Sequence, residues 1–338
     1  MKIQQAIARV LDKKDLSAEE MQSVMTQLMT GEATPAQIGG FLVGLRMKGE
    51  TVEEITAAAE VMSSLASHVE LDVPNLIDIV GTGGDGAKTF NISTASTFVA
   101  GAAGAYVAKH GNRSVSSSSG SADLLEAAGA NLNLSAQQVA ESVKSTHVGF
   151  MFAPNHHGAM KHAIGPRKEM AVRTVFNVLG PLTNPANVRR QVVGVFSSDL
   201  VLPIAQVLAR LGSHHALVVC SEDGIDEISI AAPTKIAELR HGVIKEETIS
   251  PSDFGLRGGS IDQIKVDDAQ QSLQMINQVL ENRAGPARDA VVMNAGAGIY
   301  VSGLVESLKD GVTKAEQVIA DGSALLVRDQ FVAFTNSI

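Results

Sequence analysis

The chain has 338 residues, 45% of them hydrophobic, with no Trp, two Tyr and ten Phe, so its core must be mostly aliphatic and is large enough for one big domain or two. Thirty-six acidic residues against 27 basic ones leave a formal charge of −9, which argues against wholesale binding to nucleic acid or an anionic membrane and leaves room for a local cationic site. The single cysteine, Cys220, lies in the apolar run Ala216-Leu-Val-Val-Cys220, cannot form an intrachain disulfide, and reads as a small buried hydrophobe in a reducing compartment.

The start, Met1-Lys-Ile-Gln-Gln, lacks the basic-then-apolar layout of a secretory signal. The longest weakly polar stretch, 98–108, is too short to span a bilayer. A cytoplasmic protein is expected. Residues 1–70 read as helices, because Ile3, Ile7, Val10 and Leu11 recur at helical spacing. Ser17 with Glu20, and Thr51 with Glu54, have capping-box spacing, and Thr34-Pro35 puts a capping side chain before a first-turn proline. A small helical domain over 1–70 is therefore expected.

The texture changes at Leu76-Ile-Asp-Ile-Val80, a short apolar run ending in glycine. From there the pattern predicts strands at 76–80, 105–109, 148–152, 190–196, 215–220 and 290–294. It predicts helices at 92–103, 122–129, 136–146, 168–178, 200–211, 268–282 and 312–321. Such alternation implies an α/β domain over 71–338 with a mainly parallel sheet. The less periodic segment 225–265 suits antiparallel strands.

Directly after the first strand stands Gly81-Thr-Gly-Gly-Asp-Gly86. Its letters satisfy the dinucleotide fingerprint, but that motif needs an acid about twenty positions on, and none occurs from Gly86 through Ala122. A Walker A loop fails as well, because Ala87 separates the glycine from Lys88-Thr89. What survives is an anion site. Glycines after a strand turn N–H groups outward, and a helix starting near Asn91-Ile92-Ser93-Thr94 offers its positive end. The second expected strand leads into Lys109-His110-Gly111-Asn112-Arg113-Ser114-Val115-Ser116-Ser117, with Ser121 and Asp123 beyond. Lys supplies a point charge and Arg a planar fork, both suited to phosphate oxygens. Two such loops at the carboxyl ends of neighbouring strands converge on one crevice, which suits a ligand with several phosphates.

These blocks resemble the signatures of the anthranilate phosphoribosyltransferases. So do Arg173-Thr-Val-Phe-Asn-Val-Leu-Gly-Pro-Leu-Thr-Asn-Pro185 and Gly224-Ile-Asp226-Glu227, and the likeness runs over essentially the whole chain. Two departures are visible: Gly158 stands where that family usually has Pro, and Met170-Ala171 where it commonly has Leu-Gly. The resemblance implies a fold shared with pyrimidine nucleoside phosphorylases, a small helical domain joined to a larger α/β domain, with a further helical-domain segment near 165–190. It implies a homodimer that uses Mg²⁺ to join 5-phosphoribosyl 1-pyrophosphate (PRPP) to anthranilate in tryptophan biosynthesis.

Residue by residue, the resemblance places Gly81, Gly84, Asp85, Thr89, Asn91, Ile92, Ser93, Thr94, Lys109, His110, Gly111, Asn112, Arg113, Ser114, Val115, Ser116, Ser117 and Ser121 at PRPP. It places Ser93, Asp226 and Glu227 at the metal. Arg167 is the candidate for the anthranilate carboxylate, with Asn112 and the Gly81 backbone orienting the ring. His110 and His157 are the candidates for taking up the released proton. No amidotransferase segment is recognised ahead of the helical region, so one activity is expected, and a separate amidotransferase or synthase partner is left open. A nucleoside phosphorylase of the same fold should lack the Lys109–Arg113 block. A nucleic-acid-binding relative should show a broad basic surface, which the charge of −9 opposes.

Overall fold

The computed structural model describes residues 1–113 and 119–338. The expected phosphate contacts at Ser114, Val115, Ser116 and Ser117 lie outside the described residues.

The chain opens with helices α1 (Ile3–Leu11), α2 (Ala18–Thr30), α3 (Pro35–Lys48) and α4 (Val52–Ser64). Ser17 with Glu20 and Thr51 with Glu54 form the capping boxes their spacing predicts, and Thr34 pairs with Gln37 around Pro35. Met21, Leu28, Phe41, Leu42 and Leu45 are fully buried where the helices meet. Glu54 is buried among them, paired with Lys48 Nζ at 2.9 Å and accepting the Leu16 N–H at 2.9 Å, so its charge is matched inside the bundle.

Strands and helices then alternate: β1 (Leu76–Gly81), α5 (Ile92–Ala102), β2 (Tyr106–Gly111), α6 (Ser121–Ala127), α7 (Ala136–Thr146) and β3 (Val148–Phe152). Next come α8 (Ala153–His156), α9 (Lys161–Met170) and α10 (Phe176–Leu182), followed by β4 (Arg190–Gly194), α11 (Val201–Arg210) and β5 (His215–Ser221). The hairpin β6 (Thr234–Arg240) and β7 (Val243–Ile249) precedes α12 (Ala269–Leu280), α13 (Pro286–Ser302), α14 (Leu308–Ala320) and α15 (Ser323–Ser337). The described strands form one sheet in the order β3-β2-β1-β4-β5-β6-β7. The first five are parallel, and β6 and β7 are antiparallel. The mainly parallel sheet and the antiparallel pair within 225–265 are as the sequence predicts.

The strand order reverses at β1, which has β2 on one side and β4 on the other. A crevice at the carboxyl ends of the strands follows from that reversal. Helices α9 and α10 turn away from the sheet, and Ala163, Phe176 and Leu179 share the core of the bundle. They bring the bundle side of the molecule over the crevice.

Two expected elements are corrected. Residues 290–294 are not a strand but lie inside α13, whose residues from Ala290 to Ser302 are all buried. A helix covered on every side shows no polar face, and over five residues it cannot be told from a buried strand. The single helix expected at 168–178 is two helices, broken between Met170 and Phe176, and the first begins at Lys161 with Pro166 inside it. Proline reads as a helix start in sequence, whereas here tertiary packing holds it mid-helix. Ala171 ends α9 in the left-handed conformation, at φ 49°. A Cβ is strained there, and glycine is the usual solution. Ala171→Gly should therefore raise the unfolding free energy by up to about 1 kcal/mol, measured from the urea midpoint.

Candidate active site

The glycine-rich turn leaves β1 with Gly83, Gly84 and Gly86 at positive φ, 65°, 76° and 74°. Glycine permits this curl without steric cost. Gly81 and its β4 register partner Gly194 meet a different demand. A Cβ on either would lie far inside van der Waals contact with Asp226, at its carboxylate for Gly81 and at its main-chain oxygen for Gly194. The two glycines are what let the loop after β5 enter the crevice. Asp226 Oδ2 accepts the Gly83 N–H at 2.7 Å, and Glu227 Oε1 accepts the Ser93 N–H at 3.2 Å. Asn294 of α13 clamps the next residue, accepting from the Ile228 N–H and donating to its carbonyl, both at 2.9 Å.

Lys109, buried at the middle of β2, donates from Nζ to the Ile79 carbonyl at 2.5 Å and to Ser93 Oγ at 3.2 Å. Burial pulls its pKa down, opposed by the charges of Asp78, Glu227 and Asp226. Burial, then Asp226, pushes Glu227 up to about 8, and burial, then Asp85, pushes Asp226 up to about 7. Carboxylates gathered in one crevice resist ionising together unless a cation joins them. Among the described residues no three His, Cys, Asp or Glu close into a complete cage. An incomplete oxygen set of Asp226, Glu227 and Ser93, with Asp85 close by, fits Mg²⁺, which shares its sphere with water and substrate phosphates.

These groups line one cavity of about 570 Å³. Of the residues singled out in the sequence, all those described except Thr94 line it, His157 and Arg167 included. Thr94 is one residue further into α5 than Ser93, and its buried hydroxyl has no partner among the described residues. Arg113 lines the cavity while its guanidinium pairs with Glu126 at 2.5 and 2.6 Å and with Asp123 at 3.2 Å. Arg167 stands 5.1 Å over the Phe176 ring, and burial, unopposed by any carboxylate, pulls its pKa down. Sequence reasoning did not single out Met62, Lys161 or Ile164, which close the cavity from the helical side. No local motif marks them. Asn177 and Thr183, also in the lining, did lie in the Arg173–Pro185 block and could have been found there.

His110 and His157 lie with ring centroids 5.0 Å apart, each with a buried Nε2 that has no partner among the described residues. Burial pushes their pKa values down to about 3 and about 4, so both rings are neutral at pH 7. Unfolded, each takes a proton near pH 6.5, so between that pH and about 4 the unfolded chain binds more protons than the native one. The pair therefore makes stability fall as the pH drops through that window. The double substitution His110→Gln with His157→Gln should flatten the acid limb of unfolding free energy against pH, and an unchanged limb would show that the rings titrate normally.

Residues 4–66 match the helical bundle domain of the glycosyl transferase family, and residues 73–325 match that family's a/b domain. The anthranilate phosphoribosyltransferase of Marinomonas sp. (strain MWYL1) is 60% identical over 337 residues, covering 99% of this chain and 97% of its own. That of Thioalkalivibrio sulfidiphilus (strain HL-EbGR7) is 58% identical over 337 residues, covering 100% of both. Among solved structures, the anthranilate phosphoribosyltransferase of Thermus thermophilus superposes with a TM-score of 0.93 at 41% identity, covering 98% of this chain and 99% of its own. The Saccharomyces cerevisiae enzyme, in complex with PRPP and Mg, gives 0.91 at 27% identity, covering 99% and 98%. The helical and α/β parts of the chain both match the glycosyl transferase family and its relatives match end to end, so the chain belongs to the anthranilate phosphoribosyltransferase family.

Proposed function

We propose that the chain transfers the 5-phosphoribosyl group of PRPP to the amino group of anthranilate, releasing pyrophosphate, as a step of tryptophan biosynthesis. The observation that carries this reading is the meeting of Lys109, the glycine turn and the Asp226–Glu227 pair in one cavity that Arg167 enters from the other side. The first three suit a pyrophosphate with its metal, and the last suits a carboxylate.

As pyrophosphate leaves, negative charge grows on it and positive charge on the anomeric carbon. Lys109, the N–H groups of the glycine turn and the start of α5 face the leaving group. Bound Mg²⁺ supplies charge neutralisation on the pyrophosphate oxygens, held by Ser93, Asp226 and Glu227 with Asp85 beside them. A unit-charge pair at about 4 Å is worth about 1 kcal/mol in water and nearer 4 at an effective dielectric of about 20. Excluding water therefore matters, and a movement of the helical wall toward the sheet on substrate binding would do it.

Anthranilate is an arylamine, unprotonated at neutral pH, so its site has mainly to position it. Arg167 takes the carboxylate, with Asn112 and the Gly81 backbone beside the ring. His110 and His157, neutral and weakly basic, are given no role as a dedicated base. The same reading makes the protein a cytoplasmic homodimer acting on small molecules rather than nucleic acid. Among the described residues no helix is long and apolar enough to cross a membrane.

The test is anthranilate fluorescence with purified protein, PRPP and Mg²⁺, repeated with EDTA. A decay that needs both PRPP and metal supports substrate, reaction and cofactor together. No decay from folded protein would sink the assignment and redirect the work to nucleoside phosphorolysis.

A further inference from the structure

A second cavity, of about 480 Å³, opens at the far end of the sheet from the cleft, where β4 and β5 begin and β6 ends. Arg190, His215 and Arg240 are register partners across those three strands. Their side chains therefore stand in one row on one face of the sheet, with the two arginine Cα atoms about 10 Å apart. The end of α13 forms another wall. Arg240 Nη1 donates to the Tyr300 hydroxyl at 2.9 Å, which donates in turn to Glu238 Oε1 at 2.7 Å. Glu238 is also met by His215 Nε2 at 2.9 Å, so this acid is engaged from two sides.

Arg190 gives one N–H to the Val301 carbonyl at 2.9 Å. That bond and the Tyr300 contact hold both guanidiniums in place while leaving further donors on each. The other acid nearby, Glu306, sits 3.8 Å from Arg240 with its side chain 95% exposed, so water largely screens it. His214 and His241 are exposed at the rim. In a chain of charge −9, two ordered arginines meet in one recess whose two carboxylates are already engaged or screened.

We propose that this recess binds a small phosphomonoester, its oxygens taken by the remaining N–H groups of Arg190 and Arg240 and its organic part lying against Tyr300 and the rim imidazoles. Guanidinium forks fixed by their other hydrogen bonds match phosphate oxygens in geometry and charge. The site is separate from the cleft, because β4 and β5 run the distance between the two. It stands independently of the transferase reading.

The test follows the imidazole signals of the whole enzyme by ¹H–¹³C NMR while inorganic phosphate, then phenyl phosphate, is added against chloride at equal ionic strength. His214, His215 and His241 are assigned by single His→Gln replacements. Saturable shifts at these rings are expected, and they should persist in Lys109→Ala, whose cleft is impaired for phosphate. Arg240→Gln should weaken binding at least about tenfold while transferase activity stays at the wild-type level. Arg190→Gln, which leaves the Tyr300 hydroxyl network alone, should do the same and guards against misfolding of the first variant. Absence of saturable shifts at these rings would overturn the proposal, as would shifts that neither arginine replacement alters.

Discussion

Gly194→Ala is expected to lower kcat/KM for PRPP by about 100-fold or more and to cost about 1–3 kcal/mol in folding stability. Gly194 ends β4 beside Gly81 of β1, and its carbonyl accepts the Thr82 N–H at 2.9 Å. The new methyl would overlap the main-chain oxygen of Asp226. Neither side of that contact is the loose end of a side chain. Either β4 shifts away from β1 or the acidic loop lifts out of the crevice, taking Glu227 with it. A displacement of about 1 Å at reacting groups is enough for a loss of about 100-fold. The apparent requirement for Mg²⁺ should rise as well, since Asp226 and Glu227 are its proposed holders. Gly165→Ala is the control, because nothing lies within 4 Å of the added Cβ and no positive φ is involved. It should remain active. Wild-type kcat/KM and Mg²⁺ dependence in Gly194→Ala would mean that the acidic loop does not need its place beside β4.

Lys109→Ala is expected to reduce kcat/KM for PRPP by about 10²- to 10³-fold, the scale seen when one preorganised donor to developing negative charge is removed. The lysine is buried, held by the Ile79 carbonyl and Ser93 Oγ, and faces the same cavity as Asp226 and Glu227. Lys109→Met separates charge from packing. It should lose about as much activity as the alanine variant while keeping more of the core contacts, so its unfolding midpoint should lie above that of Lys109→Ala. An unchanged kcat/KM in both variants would contradict the placement of Lys109 at the leaving group.

Local chemistry made the first half of the site legible. The glycine run after an apolar strand, the helix start at Asn91–Thr94 and the cationic block from Lys109 are each written within a dozen residues. Strand ends and helix starts position such blocks through backbone geometry alone. The capping boxes at Ser17 and Thr51 were legible for the same reason, since a cap is an interaction between residues three apart. The parallel sheet followed from the alternation of short apolar runs with longer amphipathic ones.

Other features depend on which distant segments pack together. Asp226 reaches Gly83 across 143 residues, and what admits it is the pairing of β1 with β4, which sets Gly81 beside Gly194. Nothing around Asp226 in the sequence announces those glycines. The helical wall of Met62, Lys161 and Ile164 carries no motif, because its members are ordinary bundle residues that become lining only when α4 and α9 come to rest over the sheet. Arg113 read as a free phosphate fork, yet α6 supplies Glu126 and Asp123 to pair with it. The misread strand at 290–294 has the same origin, since total burial erases the polar face by which a helix is recognised. By itself the sequence determined the cavity-lining glycine and lysine loops, the helix caps and the α/β class, all set by interactions along a few neighbouring residues. Only the tertiary structure decided the acidic loop's seat, the helical wall and the second arginine-lined recess, because sheet register and side-chain packing join residues that no local rule can connect.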